Sequence, residues 1–240
     1  MTYEQWLKVH EDRLRKEWQA SVTRSVGVSP AVRTDKYRIV GSTHIVEVDP
    51  RALRIVEGPH SAHANYVNAS FVWWEDHPAN TRPYPTSMLI TMGRVIKNGQ
   101  PNNLRNKALG EPAPTFIVWD DGKVEIRDTN DLSKEATRIR FAVTVAQTNP
   151  SVRTQGFAPF VPWASIARET NRIGIFYRRS DDKVLLVYRP NTSAGRFRET
   201  GVNLKADFGG TLDSGGSANF KVNGQTVNVT SRRMFAGITW

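Results

Sequence analysis

The stretch IGIFYRRSDDKVLLVYR, Ile173–Arg189, sets the fold class of this chain. Two runs of apolar and β-branched residues flank a polar group at Ser180–Lys183, which is the pattern of two strands joined in a β-hairpin. Three other segments repeat this plan, and each carries a turn-forming pair, at Asn98-Gly99, Asp121-Gly122 and Asn223-Gly224. Four such units predict a sheet-dominated α+β fold with mostly antiparallel or mixed β-sheets and a few helices.

Two segments have the spacing of helices instead. Residues 3–18 predict an N-terminal amphipathic helix, which we expect to dock on its own domain and which Thr2 and Gln5 would begin with a capping box. Its apolar positions recur at helical spacing: Tyr3, Trp6, Leu7, His10, Leu14 and Trp18. A second helix is predicted in RFRETGVNLKADFG, residues 196–209, where Phe197 and Leu204 stand a heptad apart.

The chain divides into a short N-terminal part and one large domain. Residues 1–36 comprise the predicted helix and a polar linker, and residues 37–240 carry the strands. Long loops rich in Pro, Asn and His are predicted at 57–65, 75–87 and 98–115. Loops held on a rigid sheet are where binding and catalytic residues concentrate.

The charge balance indicates either an anionic partner or a soluble protein that merely happens to be basic. The 240 residues carry a formal net charge of +10, which attracts nucleic acid, anionic wall polymers or phosphorylated sugars. The sequence lacks an apolar run long enough for a membrane span and an apolar signal segment. These features predict a protein that is cytoplasmic as encoded, with association with a phage particle or release on lysis as alternatives. Cysteine is absent, which excludes thiolate chemistry and disulfides.

Several reaction classes are missing their motifs. The chain contains no phosphate-binding loop GxxxxGK[ST], no GxGxxG after a strand, no GxSxG and no HExxH. His60 and His63 have a spacing that suits a metal ion, but no carboxylate lies near them in the sequence. We therefore predict no cofactor, and the sequence does not support a divalent metal site. Trp73, Trp74 and Trp119 either stack on a ligand or fill the core.

One carboxylate stands among very small residues. In GGTLDSGGSANFKVNG, residues 209–224, Asp213 is followed closely by Gly215 and Gly216. Glycines let a ligand approach the main chain, and converging backbone amides can hold an anion. The alternative is an aspartate that only accepts hydrogen bonds from its own turn.

The same block resembles the phosphodiester glycosidase family. LDSGGSANFKVNGQTVN is similar to that family's LDGGGS block, which is followed by NG and VN, although Ser214 replaces its first glycine. In the closing segment SRRMFAGI, Met234 stands where that family usually has proline. Other resembling segments follow in the family's order over about residues 40 to 240: VNASF at 67–71, PTSMLITMGRVI at 85–96, TFIVWDDGKVEI at 115–126, NRIGIFYRRSDDKVLLVY at 171–188, RFRETGVNLKADFGGTLDSGG at 196–216 and SRRMFAGI at 231–238.

The resemblance implies catalytic roles for charged residues. It implies that Asp213 is the leading catalytic carboxylate and that Glu199 is a second candidate, the alternative for Glu199 being a solvated helix residue. It further implies that Arg172 and Arg233 face the phosphate of a substrate.

The resemblance also implies binding roles for small and polar residues. Asn68 would bind substrate or position the catalytic carboxylate. Gly215, Gly216 and Ser217 would shape a pocket for an anion. No metal ligand is implied.

The activity implied by the resemblance is hydrolysis of the glycosidic bond of a sugar-1-phosphodiester, which releases free sugar and a phosphate monoester. The substrate would be an anionic sugar phosphodiester, with cell-wall polymers such as teichoic acid as one source. Two other readings stay open: a non-catalytic module that binds a phosphorylated glycan, and, less favoured, a nucleic-acid-binding protein, for which the chain offers net charge but no recognisable motif.

Overall fold

The computed structural model describes residues 35–58, 60–69, 72–74, 83–85, 88–97, 113–129, 131–145, 169–230 and 234–240. Residues 1–34, which comprise the predicted N-terminal helix and most of its linker, lie outside these residues, as do the pair Asn98-Gly99 and Arg233. Within them, no helix is long and apolar enough to cross a membrane.

The described residues form seventeen strands and one α-helix. The strands are β1 (Lys36–Val40), β2 (Thr43–Val48), β3 (Arg54–Glu57), β4 (Tyr66–Asn68), β5 (Val72–Trp74), β6 (Pro83–Pro85), β7 (Leu89–Thr91), β8 (Arg94–Lys97), β9 (Ala113–Trp119), β10 (Val124–Thr129), β11 (Ile139–Thr144), β12 (Thr170–Arg178), β13 (Lys183–Thr192), β14 (Phe208–Thr211), β15 (Phe220–Val222), β16 (Gln225–Asn228) and β17 (Ala236–Thr239). The helix, α1, is Ala194–Asn203, and short 3-10 turns lie at Pro50–Ala52, His60–Ala62, Ala136–Arg138, Arg179–Asp181 and Gly215–Ser217.

Three five-stranded sheets organise these strands. Sheet 1 has the order β1-β2-β13-β12-β14, sheet 2 the order β10-β9-β11-β7-β8, and sheet 3 the order β16-β15-β4-β17-β3, while β5 and β6 pair by themselves. Every strand pair among the described residues is antiparallel. The predicted sheet-dominated α+β fold is therefore confirmed.

The hairpins follow the sequence closely, with one difference. The pairs β9-β10, β12-β13 and β15-β16 turn where the sequence predicts, and Asn223-Gly224 has φ angles of +51° and +80°. In the segment LITMGRVIKNGQ, however, β7 and β8 turn at Met92-Gly93, whose φ angles are +49° and +77°. Two consecutive left-handed residues match the twist of the paired strands, so the turn forms there although Met92 is not a typical turn residue.

The main core lies where the three sheets meet. Each sheet contributes one face: sheet 1 buries Ile173, Ile175 and Leu186, sheet 2 buries Phe116 and Phe141, and sheet 3 buries Val67, Phe220 and Ile238. Alternate residues on the other face of sheet 1 are also buried, because α1 covers them. Burial on both faces explains why the segments IGIFY and VLLVY are continuously apolar and do not alternate.

Helix α1 packs on the outer face of sheet 1 through Phe197, which contacts Phe176 with ring centroids 5.8 Å apart. Ser193 caps the helix by accepting a hydrogen bond from the backbone N–H of Arg196. The predicted helix at 196–209 is thus shorter than expected at its end and starts two residues earlier. Gly174 makes room for this contact, since a Cβ atom there would lie 2.7 Å from the Phe197 ring.

Candidate functional site

The segment that carries Asp213 connects sheet 1 to sheet 3. After β14, the N–H of Leu212 donates to the Ile173 carbonyl at 2.9 Å, and the Leu212 side chain enters the main core. A 3-10 turn at Gly215–Ser217 follows, and Phe220 then begins β15 of sheet 3. We call residues 212–219 the Asp213 turn.

Asn68 holds this turn from the neighbouring strand β4. Its side-chain amide donates to the Asp213 carbonyl oxygen at 2.7 Å, and its Oδ1 accepts from the Asn219 N–H at 2.8 Å. The Asn68 backbone N–H also donates to the Asn219 carbonyl at 3.2 Å. Asn68 is fully buried, so these bonds are shielded from water and fix the backbone on both sides of the turn.

Ser214 takes a conformation that any residue can adopt. Its φ of −129° and ψ of −173° are extended. The hydroxyl donates to the Leu212 carbonyl at 2.9 Å and accepts from the Ile173 N–H at 3.2 Å. Serine at this position, where the resembling family has glycine, therefore does not strain the turn, and its hydroxyl adds a hydrogen bond to β12.

Gly215 is the position in the turn that requires glycine. Its φ is +69°, in the left-handed region, and a Cβ atom there would lie 3.4 Å from Oγ1 of Thr170. The N–H groups that open a 3-10 turn have no partner within it. Gly215 and Gly216 therefore carry backbone N–H groups that no side chain of their own covers.

The Asp213 carboxylate is half-buried and stays close to its own turn. Oδ1 accepts a hydrogen bond from the Ser214 N–H at 3.0 Å. Ser214 and Gly215 are also half-buried and Gly216 is exposed, whereas Ser217 is only 2% exposed. The turn thus reaches the surface, with its carboxylate near the boundary and Ser217 packed beneath.

Arg172 lies on β12 beside the residue on which the Asp213 turn docks. The carbonyl of its neighbour Ile173 accepts from the Leu212 N–H, and the Ile173 N–H donates to the Ser214 hydroxyl. The Arg172 Nε donates to the Thr192 carbonyl at 3.4 Å. The arginine is 9% exposed, and burial lowers the pKa of its guanidinium. Burial of this cation favours any anion that approaches it.

Glu199 is placed differently. It belongs to α1, whose buried residues are Ala194, Phe197, Thr200 and Gly201, and it is itself exposed to solvent. Its catalytic role stays a prediction, and the position agrees with the alternative reading of a solvated helix residue. Arg233 lies outside the described residues, so its predicted phosphate contact is likewise a prediction.

His63 and Trp119, two of the residues considered for binding a metal or for stacking on a ligand, contact residues outside the Asp213 turn. His63 stacks on Tyr66 at 6.0 Å between ring centroids, and burial together with Lys221 lowers the pKa of His63. Among the described residues, no three His, Asp or Glu side chains converge as a metal site. Trp119 is 8% exposed and donates from its indole to Glu125, so it contributes to the core of sheet 2.

Three residues around the turn were not predicted from the sequence. Asn219 donates from its side chain to the Ser217 carbonyl at 3.3 Å, Asn228 donates to the Ala218 carbonyl, and the Thr230 hydroxyl donates to the Gly216 carbonyl. Asparagine is depleted in strands, so its recurrence in and around β4, β15 and β16 was a usable signal of side chains that serve the backbone.

Comparison with known proteins finds no matching family model and no matching curated protein. Solved structures with a similar fold include the catalytic domain of zebrafish N-acetylglucosamine-1-phosphodiester alpha-N-acetylglucosaminidase, auto-inhibited by its pro-peptide. That domain has a TM-score of 0.58 and 13% identity, with 88% of this chain and 83% of that chain covered.

Two further structures come from bacteria. A hypothetical protein from Synechocystis has a TM-score of 0.50 and 11% identity, with 85% of this chain and 60% of that chain covered. A protein of Burkholderia pseudomallei K96243, named as an exported protein, has a TM-score of 0.51 and 12% identity, with 82% and 73% covered. At such identities these similarities establish a shared fold.

Proposed function

We propose that this chain hydrolyses the glycosidic bond of a sugar-1-phosphodiester and releases free sugar and a phosphate monoester. The observation that carries the proposal is the clamp by which the buried Asn68 holds the Asp213 backbone at 2.7 Å beside a left-handed glycine. Such a clamp keeps one carboxylate in a fixed place at the surface, as a catalytic group requires.

The chemistry of this substrate suits a site with one carboxylate. The leaving group is a phosphate monoester with a second pKa of about 6, so it departs without strong protonation. It does require neutralisation of the negative charge that develops on its oxygens, which a guanidinium provides through two parallel donors. Arg172 would take this role, while Asp213 would stabilise or attack the anomeric carbon or activate a water.

The backbone geometry favours a common face for these two groups. Along β12, Ile173 and Ile175 enter the main core while Phe176 faces α1, so alternation puts Arg172 on the α1 side. Along β14, Phe208 enters the main core, and a Cβ atom on Gly209 would meet Phe176. Continued alternation past Leu212 predicts that Asp213 faces the same side as Arg172.

Both the fold similarity and the order of the sequence motifs support the proposal. The zebrafish protein is named for hydrolysis of an N-acetylglucosamine-1-phosphodiester, and the motif order along this chain resembles the phosphodiester glycosidase family. The net charge of +10 suits an anionic substrate, including phosphodiester-linked wall polymers such as teichoic acids.

The test is release of free sugar from a UDP-linked or aryl-phosphate-linked sugar by the wild type and by Asp213→Asn. We expect turnover by the wild type and loss of turnover in Asp213→Asn with an unchanged melting temperature. Asp207→Asn is the matched control, because Asp207 is also half-buried and also accepts a backbone N–H, from Arg179 at 2.7 Å. It should retain turnover.

Three results would contradict the proposal. Hydrolysis by Asp213→Asn at the wild-type rate would remove the carboxylate from the mechanism. Calorimetric binding of a phosphorylated glycan by a wild type that releases no sugar would favour the binding module, and affinity for random DNA that falls steeply with salt would favour nucleic acid.

A further inference from the structure

Asn228, the last residue of β16, connects two parts of the candidate site. Its Oδ1 accepts a hydrogen bond from the side-chain amide of Asn171 at 3.3 Å, and its own Nδ2 donates to the Ala218 carbonyl. Asn171 directly precedes Arg172, and Ala218 directly follows the Gly215–Ser217 turn. The half-buried side-chain amide of Asn228 thus connects β12, the strand that carries Arg172, to the Gly215–Ser217 turn.

The hydrogen bond between Asn171 and Asn228, which we call the bridge, joins strands of two different sheets. β12 lies in sheet 1 and β16 in sheet 3, and the strand order shows that the two strands are not neighbours. Ladder hydrogen bonds between β12 and β16 therefore do not set their spacing. The hydrogen bond between the Asn171 and Asn228 side chains is one of the contacts that set the spacing of β12 and β16.

Both asparagines stand at irregularities of their sheets. The β12–β13 register shifts between Thr170 and Arg172, and the β15–β16 register shifts between Phe220 and Lys221, whose partners are Asn228 and Thr226. Such bulges re-aim a side chain, and they are over-represented next to active sites. Two of them meet at this one hydrogen bond.

The residues that follow Asn228 strengthen the attachment. The Thr230 N–H donates to Oδ1 of Asn219 at 2.9 Å, and the Thr230 hydroxyl donates to the Gly216 carbonyl. The segment 228–230 therefore contacts the Asp213 turn at Gly216, Ala218 and Asn219. It contacts β12 through Asn171.

We propose that Asn228 is a positioning residue that sets the distance between the Arg172 guanidinium and the Asp213 carboxylate. The inference rests on the proposed function, because it assigns the two groups to one substrate. Asn228 acts through Asn171 and Ala218 and contacts no reacting atom. A displacement of about 1 Å between groups that act on one substrate can reduce a rate about 100-fold.

The kinetic test compares Asn228→Ala and Asn171→Ala with the wild type on a UDP-linked sugar. We expect kcat to fall at least about tenfold in both variants while KM changes less than about twofold, because Arg172 still meets the phosphate and only its placement relative to Asp213 is lost. Asn228→Asp keeps the acceptor for Asn171 but puts a carboxylate oxygen against the Ala218 carbonyl, so it should not restore kcat.

Asn65→Ala is the matched control. Asn65 is 2% exposed, donates to the Trp240 carbonyl and accepts from the Asn223 N–H, so it makes the same kind of backbone clamp. It holds the Asn223-Gly224 end of the β15–β16 hairpin, opposite to Asn228. Its loss should lower the melting temperature and leave kcat unchanged.

A second readout does not depend on activity. In ¹⁵N–¹H spectra, Asn171→Ala should shift the amide signals of Gly216 and Ala218, to which Asn228 connects it, and Asn65→Ala should leave them in place. Unshifted signals in Asn171→Ala would overturn the bridge. An unchanged kcat in both Asn228→Ala and Asn171→Ala, or an equal loss in Asn65→Ala, would overturn the positioning role. A wild type without hydrolysis would refute the proposed function, and the spectra would still decide whether the bridge exists.

Discussion

The Asn68 side-chain amide donates to the Asp213 carbonyl oxygen at 2.7 Å across a separation of 145 residues in the chain. The same side chain accepts from the Asn219 N–H, so one buried residue of sheet 3 fixes the backbone before and after the glycine turn. The position of the candidate catalytic carboxylate therefore depends on a residue far away in sequence.

Asn68→Asp should both destabilise the protein and reduce hydrolysis. The substitution keeps the acceptor for Asn219 but replaces the donor to Asp213 with a carboxylate oxygen in a fully buried place. We expect a loss of about 3 kcal/mol in the free energy of unfolding, measured by urea denaturation. Asn203→Asp, at an exposed position of α1, should change stability by less than about 0.5 kcal/mol. Equal stability of the two variants would contradict the clamp.

Arg172→Lys should reduce the hydrolysis of a sugar phosphodiester by about 100-fold, because lysine lacks the planar pair of donors that matches phosphate oxygens. Arg189→Lys is the control on the paired strand: Arg189 stands opposite Arg172 and donates to the Arg196 carbonyl and the Thr200 hydroxyl of α1. It should lose stability and retain kcat/KM. Unchanged kinetics in Arg172→Lys would count against a phosphate contact.

Ser214→Gly, which restores the residue of the resembling family, should destabilise this protein by about 1 kcal/mol. The hydroxyl bonds to Leu212 and Ile173 would be lost, and the extended backbone at residue 214 gains nothing from glycine. Thermal unfolding of the two proteins measures the difference. A higher melting temperature for Ser214→Gly would show that the serine strains the turn.

Gly237→Ala should destabilise the fold by about 3 kcal/mol, since a Cβ atom there would lie 2.1 Å from the Tyr66 ring and both residues belong to the paired strands β17 and β4. Gly195→Ala in α1 meets no atom closer than 4.0 Å and should be neutral or stabilise by up to about 1 kcal/mol. Urea denaturation of both variants tests this contrast, and a tolerated Gly237→Ala would place the ring elsewhere.

Stability should decline as the pH falls from 7.5 to 5.5. Burial lowers the pKa of His44, whose Nδ1 lies 2.6 Å from the Tyr37 hydroxyl, and burial with Lys221 lowers the pKa of His63. The folded state then binds fewer protons than the unfolded state below the ordinary histidine pKa of about 6.5. The stabilising contribution is thus present above that pKa and lost in acid. The double variant His44→Gln/His63→Gln should show a smaller decline in urea midpoint over this pH range than the wild type. A decline equal to that of the wild type would assign the pH dependence to other groups.

Local sequence determined the hairpins of this protein. At Asn223-Gly224 the turn residues accept the left-handed backbone that joins β15 to β16, and this preference acts within a few residues. The same local logic predicted α1 and placed Asp213 before its glycines. The turn at Met92-Gly93, which joins β7 to β8, was not predicted from the sequence, and the predicted turn at Asn98-Gly99 lies outside the described residues.

The tertiary structure decided what stands beside Asp213. No prediction for Asn171 and Asn228 came from the sequence, and the role of Asn68 was implied only by the family resemblance. The packing of sheet 1 against sheet 3 brings these side chains to the glycine turn. Similarly, Ile173–Arg189 fixed a hairpin, but the cover of α1 on one face and the main core on the other decided that both faces are buried. The physical reason is that turn chemistry is a property of adjacent residues, whereas contacts between distant segments form only when all three sheets bury their apolar faces together.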